Sequence, residues 1–101
     1  MNIKFNYLYR DGANYKQFHY EVFANREGIA IEEIEKSIKA ALIDEMWFYT
    51  DKWLLKDLHR YEWNNEIDHD WHEYESIELM EDDATVDDIA DFIRLIQTNT
   101  Q

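Results

Sequence analysis

Strand-type alternation near the start, a switch to helical period after residue 30, and a return to alternation before a final amphipathic stretch predict an α+β domain. The expected architecture is a four-stranded antiparallel sheet with two helices on one face, in the order ββαββα. The 101 residues form a single acidic domain, 1–101, with no proline and no linker-like or low-complexity stretch to divide them. That length suits one modest core.

Ile3, Phe5, Tyr7 and Tyr9 alternate with Lys4, Asn6 and Leu8, the period of a half-buried strand. Turn chemistry follows at Arg10, Asp11, Gly12, Ala13 and Asn14, where Gly12 can take a positive φ. A second alternating run places Phe18, Tyr20 and Val22 on one side, so the two runs are expected to pair as a hairpin. Beyond Ala30, the residues Ile31, Ile34, Ile38, Ala41 and Leu42 recur at helical spacing, and Glu35 and Lys39 form an i,i+4 pair in the favourable order.

Residues 46–63 have two readings around Thr50 and Trp53: a short helical turn capped by Thr50, or a loop pinned by Trp53. His59, Tyr61 and Trp63 then alternate, Asn64-Asn65 reads as a turn, and alternation returns from His69 to Leu79. That pattern predicts a second hairpin, with Trp71, Ile77 and Leu79 on one face and His72 and Tyr74 on the other. Thr85 is expected to open the last helix, since Asp88 completes a Thr-x-x-Asp capping pattern. Val86, Ile89, Ala90, Ile93 and Ile96 would form its buried stripe, and the tail after Gln97 would fray.

Charge is distributed very unevenly. The formal net charge is −13, yet the first sixty residues are nearly neutral. Thirteen carboxylates lie between Glu62 and Asp91, a stretch without Lys or Arg, and only Arg94 follows. Such an acidic face disfavours nucleic acid and anionic membrane and favours a basic partner or a cation. There are no cysteines, which excludes disulfides and thiol chemistry and agrees with a reducing cytoplasm. No signal peptide or membrane span is expected, because the first ten residues alternate instead of running apolar.

Asp68, Asp70 and His72 would share one side of a strand, about 6.8 Å apart in succession. Carboxylate and imidazole ligands suit zinc, manganese or iron, with His59 as a further ligand. One strand rarely converges three side chains on one ion, so histidines paired with nearby acids are the expected outcome and no metal or other cofactor is assigned. Carboxylate pairs for acid–base catalysis carry no information in so acidic a stretch. Ser37 and Ser76, the only serines, sit in no Gly-flanked elbow, so no catalytic residue is assigned and a non-enzymatic protein is expected. The four tryptophans fill the core or form a contact surface, because the surrounding negative charge opposes binding of single-stranded nucleic acid.

The segments from Tyr7 through Lys16, and Leu58-His59 through Asp68-His69-Asp70-Trp71-His72-Glu73, resemble a family of small acidic bacterial proteins of about this length. No activity is assigned to that family, so the resemblance implies a bacterial-type origin and carries over no functional residue. Its middle often reads Trp-Gly-Val-Pro-Asp-Leu. Here it is Trp53-Leu54-Leu55-Lys56-Asp57-Leu58, lacking both Gly and Pro.

The function expected is therefore a non-enzymatic, acidic, cytoplasmic binding protein that engages a basic protein, nucleic-acid-binding proteins included, as regulator or inhibitor. The residues expected to carry it are Glu73, Glu75, Glu81, Asp82, Asp83, Asp87, Asp88 and Asp91. The alternatives are a metal-binding protein using Asp68, Asp70 and His72, and a housekeeping interaction domain whose acidity is incidental.

Overall fold

Alternation over the first twenty-three residues becomes a hairpin. In the computed structural model, which describes residues 1–10, 15–58 and 71–98, β1 (Asn2–Arg10) pairs antiparallel with β2 (Lys16–Phe23). Helix α1 (Ile31–Ala41) follows, then a short strand β3 (Trp47–Tyr49), a single helical turn α2 (Thr50–Trp53), the long strand β4 (Trp71–Met80) and helix α3 (Ile89–Thr98). The strands form one antiparallel sheet in the order β2-β1-β4-β3, giving the α+β class expected. The third strand is Trp47–Tyr49, three residues too short to show a period. The alternation at His59, Tyr61 and Trp63, the Asn64-Asn65 turn and the turn at residues 11–14 lie outside the described residues.

Ile3, Phe5, Tyr7 and Tyr9 are all buried on the face of β1 that the helices cover. Ile34 and Ile38 of α1, and Ile89, Phe92 and Ile96 of α3, close over them. The apolar stripe of α1 thus buries as its period predicts, and Lys39 Nζ lies 3.6 Å from Glu35 on the outer side. Phe92, absent from the expected stripe of α3, is one of the residues in deepest contact with the sheet.

Two features of register decide what the opposite, helix-free face carries. In the hairpin, Ile3, Phe5, Tyr7 and Tyr9 stand opposite Phe23, Glu21, His19 and Gln17. Phe18 and Tyr20 therefore point away from the core, beside Leu8 and Asn6. In β4, pairing with β1 slips between Asn6↔Ser76 and Tyr7↔Tyr74, leaving Glu75 as an extra residue in a bulge. Because side chains alternate with period two, one extra residue reverses the phase. His72 and Tyr74 consequently join Ile77 on the core face, while Trp71 and Glu73 join the open face. This corrects the expectation that Trp71 shares a side with Ile77.

From α1 to residue 58 the chain is tied down by tight turns. Residues 43–46 close a type I′ turn, with Asp44 and Glu45 both at positive φ and Met46 N–H donating to Ile43 O at 3.0 Å. Thr50 is the first residue of α2 and not its cap, a position held by Tyr49; Trp53 is buried beneath the turn. The turn ends at Leu54 in the left-handed conformation (φ 55°, ψ 38°), where Leu55 N–H donates to Thr50 O at 3.0 Å. Beyond it the chain is pinned from below: Tyr7 Oη donates to Lys56 O at 2.7 Å, and His72 Nε2 accepts from Leu58 N–H at 3.0 Å.

Two measurements check this account. Leu54 is 74% exposed, so it gives up little burial, while a left-handed leucine costs about 1–2 kcal/mol against glycine. Leu54→Gly should raise stability in urea denaturation by roughly 0.5–1 kcal/mol, the gain being reduced by the greater freedom of glycine in the unfolded chain. The second concerns alkaline pH. Burial raises the pKa of Tyr7 well above the ordinary tyrosine value, with Glu21 adding to it; burial and the hydrogen bond to Glu35 do the same for Tyr74. A raised folded-state pKa means that the unfolded chain loses these protons first. Their contribution is whole below about pH 10 and falls as pH rises beyond it. Denaturation midpoints at about pH 8 and 11 should show the loss, and the loss should be smaller in Tyr74→Phe.

Candidate functional site

The connection from β4 to α3 is held along the end of β2. Thr85 N–H and Val86 N–H donate to Val22 O at 2.8 and 3.2 Å, and Ile89 N–H donates to Ala24 O at 2.8 Å. Thr85 Oγ1 accepts from Val22 N–H at 2.9 Å and donates to Glu21 at 2.9 Å. Thr85 therefore caps the sheet edge and not the helix, correcting the expected start of α3. At the other end of the connection, Asn2 Nδ2 donates to Asp82 O at 2.7 Å. Fixed at these points, the segment turns Glu81, Asp82, Asp83 and Asp87 outward, and Asp91 joins them from the first turn of α3.

Asp88 does not belong to that surface. It is 5% exposed. Its Oδ2 accepts from Ala90 N–H at 3.0 Å and its Oδ1 from Arg26 N–H at 2.9 Å, so one carboxylate caps α3 and ties it to the turn after β2. Glu73 and Glu75 lie elsewhere on β4, six to eight residues before the acidic loop, or roughly 20–26 Å of strand. Glu73 faces the open side of the sheet, where Arg10 holds it through Nε at 2.7 Å and Nη2 at 3.2 Å. Glu75 is the bulged residue and is exposed. Of the eight acids singled out in the sequence, five are brought together at one end of the molecule.

Behind Asp87 and Asp91 the surface opens into an apolar groove of about 200 Å³, lined by Phe23, Trp53, Leu54, Leu55, Val86, Phe92 and Leu95. It forms where the α2 turn meets the start of α3. Its walls come from residues 23, 53–55, 86–87, 91–92 and 95, a set that no single-segment pattern in the sequence links. Arg94, the last cation of the chain, pairs with Asp91 at 2.7 Å and reaches Glu27 at 3.7 Å. Asp87, exposed at the mouth, has no hydrogen-bond or ion-pair partner among the described residues. The arrangement places negative charge around an apolar bed, which suits a long cationic side chain laying its stem on the bed and its charge at the rim.

The metal reading fares differently. His72 is wholly buried on the core face, and its Nε2 is occupied as the acceptor of Leu58 N–H. Asp57 Oδ1 lies 3.5 Å from the same nitrogen. Asp68, Asp70 and His59 lie outside the described residues. Among the described residues, no three His, Cys, Asp or Glu side chains are grouped to hold an ion.

If Asp88 is structural, Asp88→Ala should lower stability by about 2–3 kcal/mol, since it removes a cap and orphans a second N–H. Asp88→Asn should lose roughly half as much, because one amide oxygen replaces two carboxylate oxygens. Chemical denaturation of both variants checks the order. No protein-family model, curated protein or solved structure matches this chain.

Proposed function

We propose that this is a non-enzymatic binding protein whose acidic end engages a basic protein partner. The observation that carries this reading is the placement of Asp87 and Asp91 at the mouth of an apolar groove, beside the outward carboxylates of residues 81–83. A bare acidic face would attract any cation weakly. The groove adds a site where a lysine or arginine stem is desolvated, and charge around it then steers and orients the partner. In its sharpest form the partner is a nucleic-acid-binding protein, and the acidic end competes for its basic site as a regulator or inhibitor. A cytoplasmic location, with no direct nucleic-acid or membrane contact, is part of the same proposal. Among the described residues, no helix is long and apolar enough to cross a membrane.

The test is capture from a lysate of the source cells on immobilised protein, followed by salt elution and comparison with the variant Asp83→Asn/Asp87→Asn/Asp91→Asn. A single basic protein should be retained, released as salt rises, and bound roughly ten- to a hundredfold more weakly by the variant. The fold should be unaffected, since Asp88 is left in place. An affinity that does not change with salt, or that survives the triple substitution, would rule out the acidic end as the binding surface.

A further inference from the structure

The acidic end leaves the opposite side of the sheet unexplained. That face carries Phe18 (62% exposed), Tyr20 (44%) and Trp71 (36%), with Trp47 tilted against Trp71 at 6.2 Å between ring centroids. Rings this exposed on one sheet face mark a contact surface more often than chance exposure. Its charge also departs from that of the rest of the molecule. Among the described residues, Lys4, Arg10 and Lys16 stand on this face against Glu73 and Glu78, with the bulged Glu75 exposed beside them, a near balance in a chain of net charge −13.

We infer that this face binds a second copy of the same chain, sheet against sheet. Two bodies of net charge −13 repel each other over most of their surfaces, whereas the charges described on this face nearly balance. The charge is also self-complementary. The cations lie on β1 and β2, and the carboxylates on β4. A two-fold axis parallel to the strands lays β2 and β1 of one copy over β3 and β4 of the other. The cationic half then meets the anionic half, and the Phe18–Tyr20 edge covers the Trp47–Trp71 edge. Single-stranded nucleic acid also stacks on exposed rings, but it requires a row of available cations. Here the carboxylates of Glu73 and Glu78 lie beside Arg10 and Lys4, which repels a phosphate backbone but suits a copy that carries both signs.

Sedimentation equilibrium from about 1 to 200 µM, at about 0.05 and 0.5 M salt, tests this. A species of twice the 12.4 kDa chain mass should form at both salts, since salt screens the repulsion of the like net charges together with the attraction of the facing halves. Phe18→Glu should weaken it about tenfold or more. Because Phe18 is mostly exposed, the melting temperature of the monomer should not change, and Tyr20→Ser provides a second variant. A protein that stays monomeric throughout would overturn the inference. A dimer indifferent to both substitutions would do so too, and so would a monomer that binds a thymidine oligonucleotide through the same residues.

Discussion

Phe5 is the ring on which the fold converges. It has no exposed surface and lies within 5.5 to 6.5 Å, centroid to centroid, of Tyr7, Phe23, Phe48, Trp53, Tyr74 and Phe92. Those six rings come from all four strands, the α2 turn and α3. Tilted and edge-on arrangements of this kind combine apolar burial with favourable quadrupole contacts. The three-residue strand β3 and the one-turn α2 could not persist alone, and both hold their places through Phe48 and Trp53 in this cluster. The groove at the acidic end shares Phe23, Trp53 and Phe92 with it. The candidate site is thus the outer side of the core, and its rigidity derives from that packing.

The bulge at Glu75 divides the molecule's surface chemistry. By reversing the phase of β4 it brings His72 and Tyr74 inward and sends Trp71 and Glu73 outward. Without it, His72 would face the side of the sheet occupied by Arg10, and Leu58 N–H would lack its acceptor. The same residue that completes the core therefore creates the aromatic, near-neutral face, while the uncompensated acids collect past the end of the strand. One inserted residue thus decides which side chains of β4 share a face with Arg10 and which enter the core.

The parts of this arrangement legible in the sequence are those with an unbroken period. Ile3 through Tyr9 and Ile31 through Leu42 each read as one continuous face, and both bury as read. Glu75-Ser76 gives no local sign of a bulge, because two polar residues suit either phase. Trp47-Phe48-Tyr49 is too short for alternation to be seen. The Thr85-x-x-Asp88 pattern is a sound local signal overridden by tertiary structure: the edge of β2 takes Thr85, and Asp88 becomes the cap itself. Composition pointed to an acidic surface, and five of its eight acids do gather at one end. It could not show that Asp88 is used internally, that Glu73 is held by Arg10, or that an apolar groove lies behind Asp87 and Asp91. Each of those facts depends on contacts between distant segments.

The placement of β1 between β2 and β4 has a consequence for how the chain is made. Its hairpin partner is the next segment to be synthesised, but its other neighbour is not: Asn6 meets Ser76, 70 residues later. At translation rates of about 5–20 residues per second, the aromatic face of the hairpin waits for seconds with α1, Phe48 and Trp53 made but β4 and α3 still missing. Pairing over such a distance is also inherently slow to form. A ribosome product cut short before Tyr74 leaves Phe5 without the Tyr74 and Phe92 rings and β1 without its second neighbour, open to aggregation and to proteases. Truncation is therefore exposed by the topology itself, and only a chain that has reached α3 can conceal its centre.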